Sequence, residues 1–278
     1  MDYPRIAFIG GGNMAASMIG GLIADGWPND RIRVAEPDAE RRAWLQEHFG
    51  VAALASNRDA AAAAEVVVLA VKPQVLRQVA RDIAPAVAGH HPLVVSIAAG
   101  VRTGDIQRWL GGRAAVVRAM PNTPALVQAA ATGLYASPEV NEAQHSQAEA
   151  LLRAIGVTVW VEDEDALDAV TALSGSGPAY FFLFIEALEA AGIDLGLEPA
   201  QARLLAVQTA VGAAKLALES DEEPALLRQR VTSPGGTTER ALAVFEEGGL
   251  RQLVTRALTA ARDRARELAV ELGQGPEQ

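Results

Sequence analysis

Residues 5–14 read RIAFIGGGNM, a short apolar strand that runs directly into a glycine-rich turn and then into an amphipathic helix. Gly10 permits the tight turn from strand to helix, and Gly12 lets the backbone approach a pyrophosphate without a clashing Cβ. The free N–H groups at the start of the helix then face the anion. Because the glycines follow a strand and precede a helix, the pattern predicts a dinucleotide site rather than an ordinary glycine turn. Ala15 takes the place of the usual third glycine.

Strand and helix signals alternate through the first 160 residues. Short apolar runs bounded by polar residues or glycine predict buried strands, at residues 32–35, 66–70, 93–97 and 115–119. Helical stretches lie between these runs, and residues 132–136 and 158–161 are expected to extend the same sheet. The alternation predicts an α/β fold with a doubly wound parallel sheet and helices on both faces.

From Glu162 onward the strand signals nearly vanish. Helical spacing of apolar residues then runs through six stretches, 164–173, 179–191, 199–219, 225–230, 238–247 and 250–272. We therefore predict two domains, a Rossmann-type dinucleotide-binding domain over residues 1–161 and an all-helical domain over residues 162–278. The broad apolar faces of these helices exceed what one small domain buries, so we expect a homodimer through the helical domain rather than a compact monomeric bundle.

The composition excludes several classes of function. The chain of 278 residues has a net charge of −10 and two lysines, which argues against nucleic acid as a partner because phosphate binding needs clustered basic residues. The absence of cysteine excludes disulfides, thiol nucleophiles and cysteine-ligated metals. The acidic run at 162–165 lacks the oxygen spacing of a calcium loop, so we expect no metal.

We expect neither a membrane span nor a signal peptide. The most apolar stretch, residues 179–193, is interrupted by two glutamates and is too short to cross a bilayer. The first predicted strand starts at Arg5, which leaves no room for a signal peptide. We therefore predict a soluble, cytoplasmic protein.

Glu36 ends the second predicted strand, where an acidic side chain accepts hydrogen bonds from the adenosine ribose hydroxyls. A 2′-phosphate there would meet a like charge, so Glu36 favours NADH over NADPH. The alternative is a solvated loop carboxylate. Three arginines nearby in sequence, Arg33, Arg41 and Arg42, are able to accommodate a phosphate, and they leave the cofactor preference open.

Three further turns follow strand ends, at the edge of the sheet where ligands bind. Val71, Lys72 and Pro73 form a sharp turn in which Lys72 either contacts a phosphate or base or, as we favour, orients the loop. Small residues around Ala98 leave room for a flat nicotinamide. Asn122, in a loop fixed by two prolines, either hydrogen-bonds the cofactor amide or caps the turn, and both alternatives stay open.

A second glycine turn, VTSPGGTT at residues 231–238, leads into a helix of the second half. Gly235 and Gly236 free successive backbone N–H groups, which predicts an anion nest that would fit a small carboxylate. The alternative is a plain capped loop between helices, which needs fewer glycines and hydroxyls. The loop SGSGP at 174–178 does not indicate a serine hydrolase, because no motif links a histidine and a carboxylate to it.

Together these turns resemble the pyrroline-5-carboxylate reductase family over nearly the whole chain. The motifs that carry the resemblance occur in the family's order: FIGGGNMA, LAVKPQ, SIAAGV, MPNTPALV, DAVTALSGSGPAYFF and VTSPGGTTERAL. The last two are the most specific to that family. The resemblance implies an N-terminal Rossmann domain and a helical dimerisation domain, with dimers that often assemble into decamers. It implies reduction of L-1-pyrroline-5-carboxylate to L-proline, the last step of proline synthesis, by NADPH or NADH.

The resemblance also implies site residues. Cofactor contacts fall on Gly10, Gly11, Gly12, Asn13, Met14, Glu36, Asn57, Val71, Lys72, Pro73, Ala98 and Asn122. Substrate contacts fall on Glu164, Arg230, Gly235, Gly236, Thr237 and Thr238. The substrate carboxylate would bind the glycine turn, and the Thr238 hydroxyl would hydrogen-bond the ring nitrogen. A cyclic imine is easily protonated, so positioning supplies much of the rate and we nominate no classical base. Members that prefer the phosphorylated cofactor tend to have a small hydroxyl residue in place of Glu36.

Two alternatives are weaker, and a third stays open. A β-hydroxyacid dehydrogenase-like enzyme needs a catalytic lysine soon after a glycine-rich turn, whereas residues 178–186 read PAYFFLFIE without Lys or Asn. A non-catalytic cofactor-binding protein would be expected to lose the SPGGTT turn, which is intact. Reduction of a related cyclic imine is an alternative that the sequence does not separate from proline synthesis.

Overall fold

The computed structural model describes residues 3–273. Two compact units form: the chain up to Ser176 together with the residues from Ala260 onward, and a second unit over Gly177–Thr259. The first unit thus continues past Val161, where the sequence predicts a domain boundary, and that boundary stays a prediction. Residues 1–2 and 274–278, at the outer ends of the two predicted domains, lie outside the described part of the chain.

The first unit contains one eight-stranded sheet. Its strands are β1 (Ile6–Ile9), β2 (Ile32–Ala35), β3 (Ala52–Leu54), β4 (Val66–Leu69), β5 (Leu93–Ser96), β6 (Val116–Met120), β7 (Ala130–Ala136) and β8 (Gly156–Trp160). The strand order is β3-β2-β1-β4-β5-β6-β7-β8, and the strands from β3 to β6 are parallel. The order reverses between β1 and β4, and such a switch point is where α/β sheets bind ligands.

The outer strands differ from the fully parallel sheet that the alternation predicts. β7 runs antiparallel to β6, and β8 is parallel to β7. Only residues 121–129 connect β6 to β7, and they hold a short 3₁₀ helix, Thr123–Val127. A parallel neighbour needs a crossover of about a dozen residues or more, so this connection is too short to carry the chain back to the start of β6, and β7 pairs antiparallel instead. The predicted extension of the sheet is confirmed, and the predicted parallel direction of β7 is wrong.

Twelve α-helices accompany these strands in the described part of the chain. They are α1 (Asn13–Ala24), α2 (Ala39–Phe49), α3 (Asn57–Ala61), α4 (Pro73–Val87), α5 (Thr103–Trp109), α6 (Glu142–Arg153), α7 (Ala166–Val170), α8 (Gly177–Asp194), α9 (Pro199–Glu219), α10 (Pro224–Arg230), α11 (Thr237–Glu247) and α12 (Leu250–Gly273). Side chains cap several of the starts: the Asp38 carboxylate accepts from the Arg41 N–H, and Asn141 and Gln144 form a capping box on α6. The predicted α/β fold with a helical second part is confirmed.

The side chains of β1 point alternately into two layers of the core of the first unit, one on each face of the sheet. Ile6 and Phe8 pack into one apolar cluster, and Ala7 and Ile9 pack into the other. Successive side chains of a strand point to opposite faces, so a strand covered on both faces is apolar throughout. This explains why the central strands read as continuous apolar runs.

The second unit is helical and leaves many apolar side chains in solvent. Phe181, Phe182 and Leu183 on α8 are each about two-thirds exposed, as is Leu204 on α9. Contiguous apolar exposure of this kind is unusual on a protein that acts as a monomer, so it marks an interaction surface.

Among residues 3–273, no helix has both the length and the apolar character that a membrane crossing requires. The cytoplasmic location stays a prediction.

Candidate cofactor and substrate sites

The first glycine turn sits at the switch point of the sheet. Gly10 has φ of +102°, a conformation that glycine adopts without strain, and its N–H donates to the Ala35 carbonyl at 2.8 Å. A Cβ at Gly10 would lie 2.6 Å from the carbonyl oxygen of Ala70 and 3.0 Å from Val71. The turn is therefore closely packed between the ends of β2 and β4, and position 10 has room for glycine only.

The start of α1 is open on the side of Gly12. A Cβ added to Gly12 would meet no atom of the described residues within 4 Å, and Gly12 and Asn13 are exposed while Met14 is half-buried. Within the same residues, no side chain caps the N-terminus of α1. The first N–H groups of the helix lack intrahelical partners, so they are available to an anion.

The Glu36 carboxylate is bonded to the glycine turn. Its Oε2 accepts from the Gly11 N–H at 2.9 Å, and its Oε1 accepts from the Asp38 N–H at 3.0 Å. The side chain is half-buried, and it is therefore not the freely solvated loop carboxylate that was the alternative. Its contact with a ribose stays a prediction.

The ends of β4 and β5 lie on the same edge of the sheet. Lys72 precedes α4, is exposed, and is followed by Pro73 as the first residue of the helix, a position that proline favours. Ala98 is buried. Val71 is half-buried against the core of the first unit. These positions agree with a loop that shapes the edge of a cofactor site.

Two asparagines from the predicted cofactor set bond within the protein. The Asn57 amide donates to Asp82 Oδ2 at 3.2 Å, which joins α3 to α4. Asn122 donates to the Ser174 carbonyl at 2.9 Å and accepts from the Ala131 N–H at 3.0 Å. Neither bond caps the turn that follows Asn122, so the side chain instead links this loop to Ser174 and to β7. Its contact with the cofactor amide stays a prediction.

Glu164, a predicted substrate residue, lies in a polar cluster of the first unit. Its Oε1 accepts from the Thr103 N–H at 2.8 Å and from Arg118 Nη1 at 3.2 Å, and its Oε2 accepts from the Thr103 hydroxyl at 2.9 Å. Arg118 is 3% exposed, on β6. The sequence patterns did not single out Arg118, although an arginine inside the apolar run 115–119 is a signal of a paired buried charge. A buried cation needs a paired carboxylate, and Glu164 provides it.

Asp168, on α7 beside this cluster, is 1% exposed. Its Oδ2 is buried without a hydrogen-bond partner among residues 3–273, and Arg266 Nε lies 3.8 Å away. Burial raises the pKa of Asp168, while the charges of Arg118, Arg102 and Arg266 oppose the shift.

We expect Asp168→Asn to stabilise the protein at neutral pH. The pKa of Asp168 is higher in the folded than in the unfolded chain, so stability falls as the pH rises from the unfolded pKa through the folded pKa. Asparagine removes this loss, and the gain in Tm should be near zero at about pH 3, below the ordinary pKa of aspartate, and largest at pH 7. Thermal unfolding at both pH values measures it, with the exposed Asp221→Asn as control. An equal change at both values would contradict the expectation.

The second glycine turn opens α11 in the second unit. Gly235 has φ of +71°, and its N–H donates to Glu239 Oε2 at 2.7 Å, while the Gly236 N–H donates to the Ser233 carbonyl at 3.0 Å. The two glycine N–H groups are therefore not free, contrary to the nest that the sequence predicts. Thr237 and Thr238 begin α11, and their N–H groups lack intrahelical partners. The N–H groups that remain open to an anion are therefore those of the first turn of the helix, and an anion site there stays a prediction.

Arg230 ends α10 and forms an ion pair with Glu222. Its side chain is largely exposed. A substrate carboxylate would have to compete with Glu222 for this guanidinium, and the role of Arg230 in binding substrate stays a prediction.

The residues of the first unit fit a nicotinamide dinucleotide. The open side of Gly12 and the uncapped start of α1 suit a pyrophosphate, and the Glu36 carboxylate at the end of β2 suits a ribose.

Comparison with known proteins agrees with this geometry. Residues 5–100 match the family described as NADP oxidoreductase coenzyme F420-dependent, so the first unit is that of a dinucleotide-dependent oxidoreductase. Residues 164–268 match the family described as pyrroline-5-carboxylate reductase dimerisation, and a pyrroline-5-carboxylate reductase of Pseudomonas aeruginosa is 53% identical over 99% of this chain and all of the relative. The chain belongs to the pyrroline-5-carboxylate reductase family.

Solved structures extend the comparison. A pyrroline-5-carboxylate reductase from Coxiella burnetii has a TM-score of 0.94 and 47% identity, covering 96% of this chain and 99% of that one. The Plasmodium falciparum enzyme, solved with NADP bound, has a TM-score of 0.84 and 27% identity, covering 97% and 99%. The resemblance inferred from the motifs is confirmed.

Proposed function

We propose that this protein reduces L-1-pyrroline-5-carboxylate to L-proline with a reduced nicotinamide dinucleotide. The observation that carries the proposal is a complete dinucleotide turn at the switch point, in a chain that matches the Pseudomonas aeruginosa reductase over nearly its whole length. Fold alone does not establish activity, and the intact SPGGTT turn adds a feature outside the cofactor fold.

The first unit binds and orients the cofactor, which supplies the hydride. The N–H groups at the start of α1 hold the pyrophosphate, and Glu36 accepts hydrogen bonds from the adenosine ribose. Lys72 and the backbone at Ala98 shape the edge of the sheet on which the nicotinamide lies. Support comes from the exposure of Gly12 and Lys72 and from the contacts of Glu36 with the turn.

The first turn of α11 binds the substrate. The N–H groups of Thr237 and Thr238 receive the substrate carboxylate at the positive end of the helix dipole. The Thr238 hydroxyl hydrogen-bonds the ring nitrogen and so orients the carbon–nitrogen double bond for reduction. A protonated imine is already electrophilic, so this positioning is the main contribution of the chain to the rate.

The test is a direct assay with pyrroline-5-carboxylate, in which NADH and NADPH oxidation are followed separately. Turnover with either cofactor supports the proposal, and the absence of turnover with each of them refutes it. A six-membered cyclic imine carboxylate, assayed in parallel, tests the alternative substrate. A higher kcat/KM for it would show that the same hydride transfer acts on this larger ring in preference to pyrroline-5-carboxylate.

We expect NADH to be preferred, and Glu36→Ser to reverse the preference. The serine variant loses the ribose acceptor and the charge that repels a 2′-phosphate, so the NADH to NADPH ratio of kcat/KM should fall by at least about tenfold. The exposed Glu40→Ser on α2 is the matched control. A tenfold or larger preference of the unmodified protein for NADPH would contradict the role of Glu36.

A homodimer through the helical second unit is the assembly we propose. The match of residues 164–268 to a dimerisation family supports it, as does the apolar exposure of Phe181, Phe182 and Leu204. The decamer implied by the family resemblance stays a prediction, which sedimentation velocity tests directly.

A further inference from the structure

The geometry points to Arg41 as the residue that recognises a 2′-phosphate on the adenosine ribose, so that NADPH is accepted beside Glu36. The inference rests on the proposed use of a nicotinamide dinucleotide. It concerns the adenosine end of the cofactor. Its test uses fragments of the cofactor that lack the nicotinamide and therefore take no part in the reduction.

Arg41 and Glu36 hold the same residue of the glycine turn. Arg41 Nε donates to the Gly11 carbonyl at 2.7 Å, while the Gly11 N–H donates to Glu36 at 2.9 Å. A carboxylate suited to a 2′-hydroxyl and a guanidinium suited to a 2′-phosphate are thus both anchored on Gly11. The cofactor preference is then set by two opposite charges rather than by Glu36 alone.

The Arg41 guanidinium is held in place and is not neutralised by the protein. It stacks on the Trp44 ring, with 4.2 Å from Cζ to the ring centroid. Within residues 3–273 it forms no ion pair with a carboxylate, and its buried Nη2 has no hydrogen-bond partner. A buried donor without an acceptor destabilises the protein. A small movement of the guanidinium that gives this nitrogen an anionic acceptor is therefore favourable.

The other two arginines near Glu36 are less suitable. Arg42 Nη1 is bonded to the carbonyls of Glu36 and Pro37, at 2.8 and 2.7 Å, so it supports the loop after β2. Arg33 lines a small cavity with Arg5 and Asp30, residues that precede β1 and β2, at the opposite end of the strands from the glycine turn. By contrast, Arg41 lines a cavity along the flank of α1, from Asn13 to Gly21, and its bond to the Gly11 carbonyl places its guanidinium at the glycine-turn end of that helix.

The inference is tested with two cofactor fragments that differ only in the 2′-phosphate. Binding of adenosine 2′,5′-bisphosphate and of 5′-AMP is measured by calorimetry for the unmodified protein and for four variants, Arg41→Gln, Arg41→Lys, Arg42→Gln and Arg33→Gln. We expect Arg41→Gln to lower the affinity for the bisphosphate by about tenfold or more, while the affinity for 5′-AMP changes by less than about threefold. Arg41→Lys should restore part of the difference, and Arg33→Gln should leave both affinities unchanged.

If Arg41 only holds Gly11 in place, Arg41→Gln will lower the affinities for both fragments by the same factor, and this result would overturn the inference. Selective loss of the bisphosphate in Arg42→Gln, with Arg41→Gln unaffected, would overturn it as well. Thermal unfolding checks that each variant is folded. Because no turnover is measured, failure here leaves the proposed reduction standing, and failure of the reductase assay leaves the fragment result standing.

Discussion

Replacing Gly10 by alanine is expected to abolish dinucleotide binding and to destabilise the first unit. The backbone at position 10 has φ of +102°, and an alanine Cβ would lie 2.6 Å from the Ala70 carbonyl oxygen. The positive φ and the contact with backbone together should cost at least about 2 kcal/mol of unfolding free energy, because neither the turn nor the end of β4 has room to yield. Thermal unfolding and titration with NADH measure the two effects.

Gly12→Ala separates cofactor binding from stability. A Cβ at Gly12 meets no described protein atom within 4 Å, so this variant should unfold like the unmodified protein and still bind NADH poorly, because the methyl group enters the path of the pyrophosphate. Gly104→Ala, inside α5 and equally free of contacts, is the control that keeps both properties. Normal NADH binding by Gly12→Ala would show that the dinucleotide does not approach this turn.

Replacing Thr238 by alanine is expected to lower kcat by about 10²-fold or more and to leave NADH affinity unchanged. The hydroxyl is proposed to hydrogen-bond the ring nitrogen and so to hold the carbon–nitrogen double bond in position for hydride transfer, and a small misplacement of a substrate lowers the rate by about 10²-fold. Cofactor binding should persist because the dinucleotide turn lies in the first unit, whereas Thr238 begins α11 of the second. Steady-state kinetics and NADH titration give both quantities.

Thr238→Ser retains the hydroxyl and should recover most of the rate. Thr255→Ala is the matched control, because that hydroxyl donates to the Arg251 carbonyl within α12 and has no proposed role in the reaction. An unchanged kcat in Thr238→Ala would remove Thr238 from the mechanism. Equal losses in Thr238→Ala and Thr255→Ala would indicate a general effect on helix structure rather than a contact with substrate.

Local patterns were enough to predict much of the first unit. The turn at residues 10–14 was predicted because strand, glycines and helix are consecutive in the chain, and the buried strands because parallel strands covered on both faces are continuously apolar. The pattern does not predict β3, α5 or α6. The three residues of β3, Ala52–Leu54, are too few and too alanine-rich for a periodic signal.

The polar contacts were not predictable in the same way, because their partners are far apart in sequence. Glu164 meets Thr103 and Arg118 across 61 and 46 residues, which no local pattern records. The Gly235 N–H presents the opposite case, since its partner Glu239 is four residues away. There the sequence predicted an open nest, and only the conformation of the turn brings the carboxylate back onto the glycine.

The sequence by itself determined the fold class, the dinucleotide turn and the family, because these depend on residue order and on spacing over a few turns of chain. The tertiary structure decided what each polar group does. It ties Glu36 and Arg41 to opposite ends of the Gly11 residue, engages Asn122 in the protein, and leaves the first N–H groups of α11 without intrahelical partners. The physical reason is that a hydrogen bond depends on distance and direction between groups, and packing of distant segments sets both.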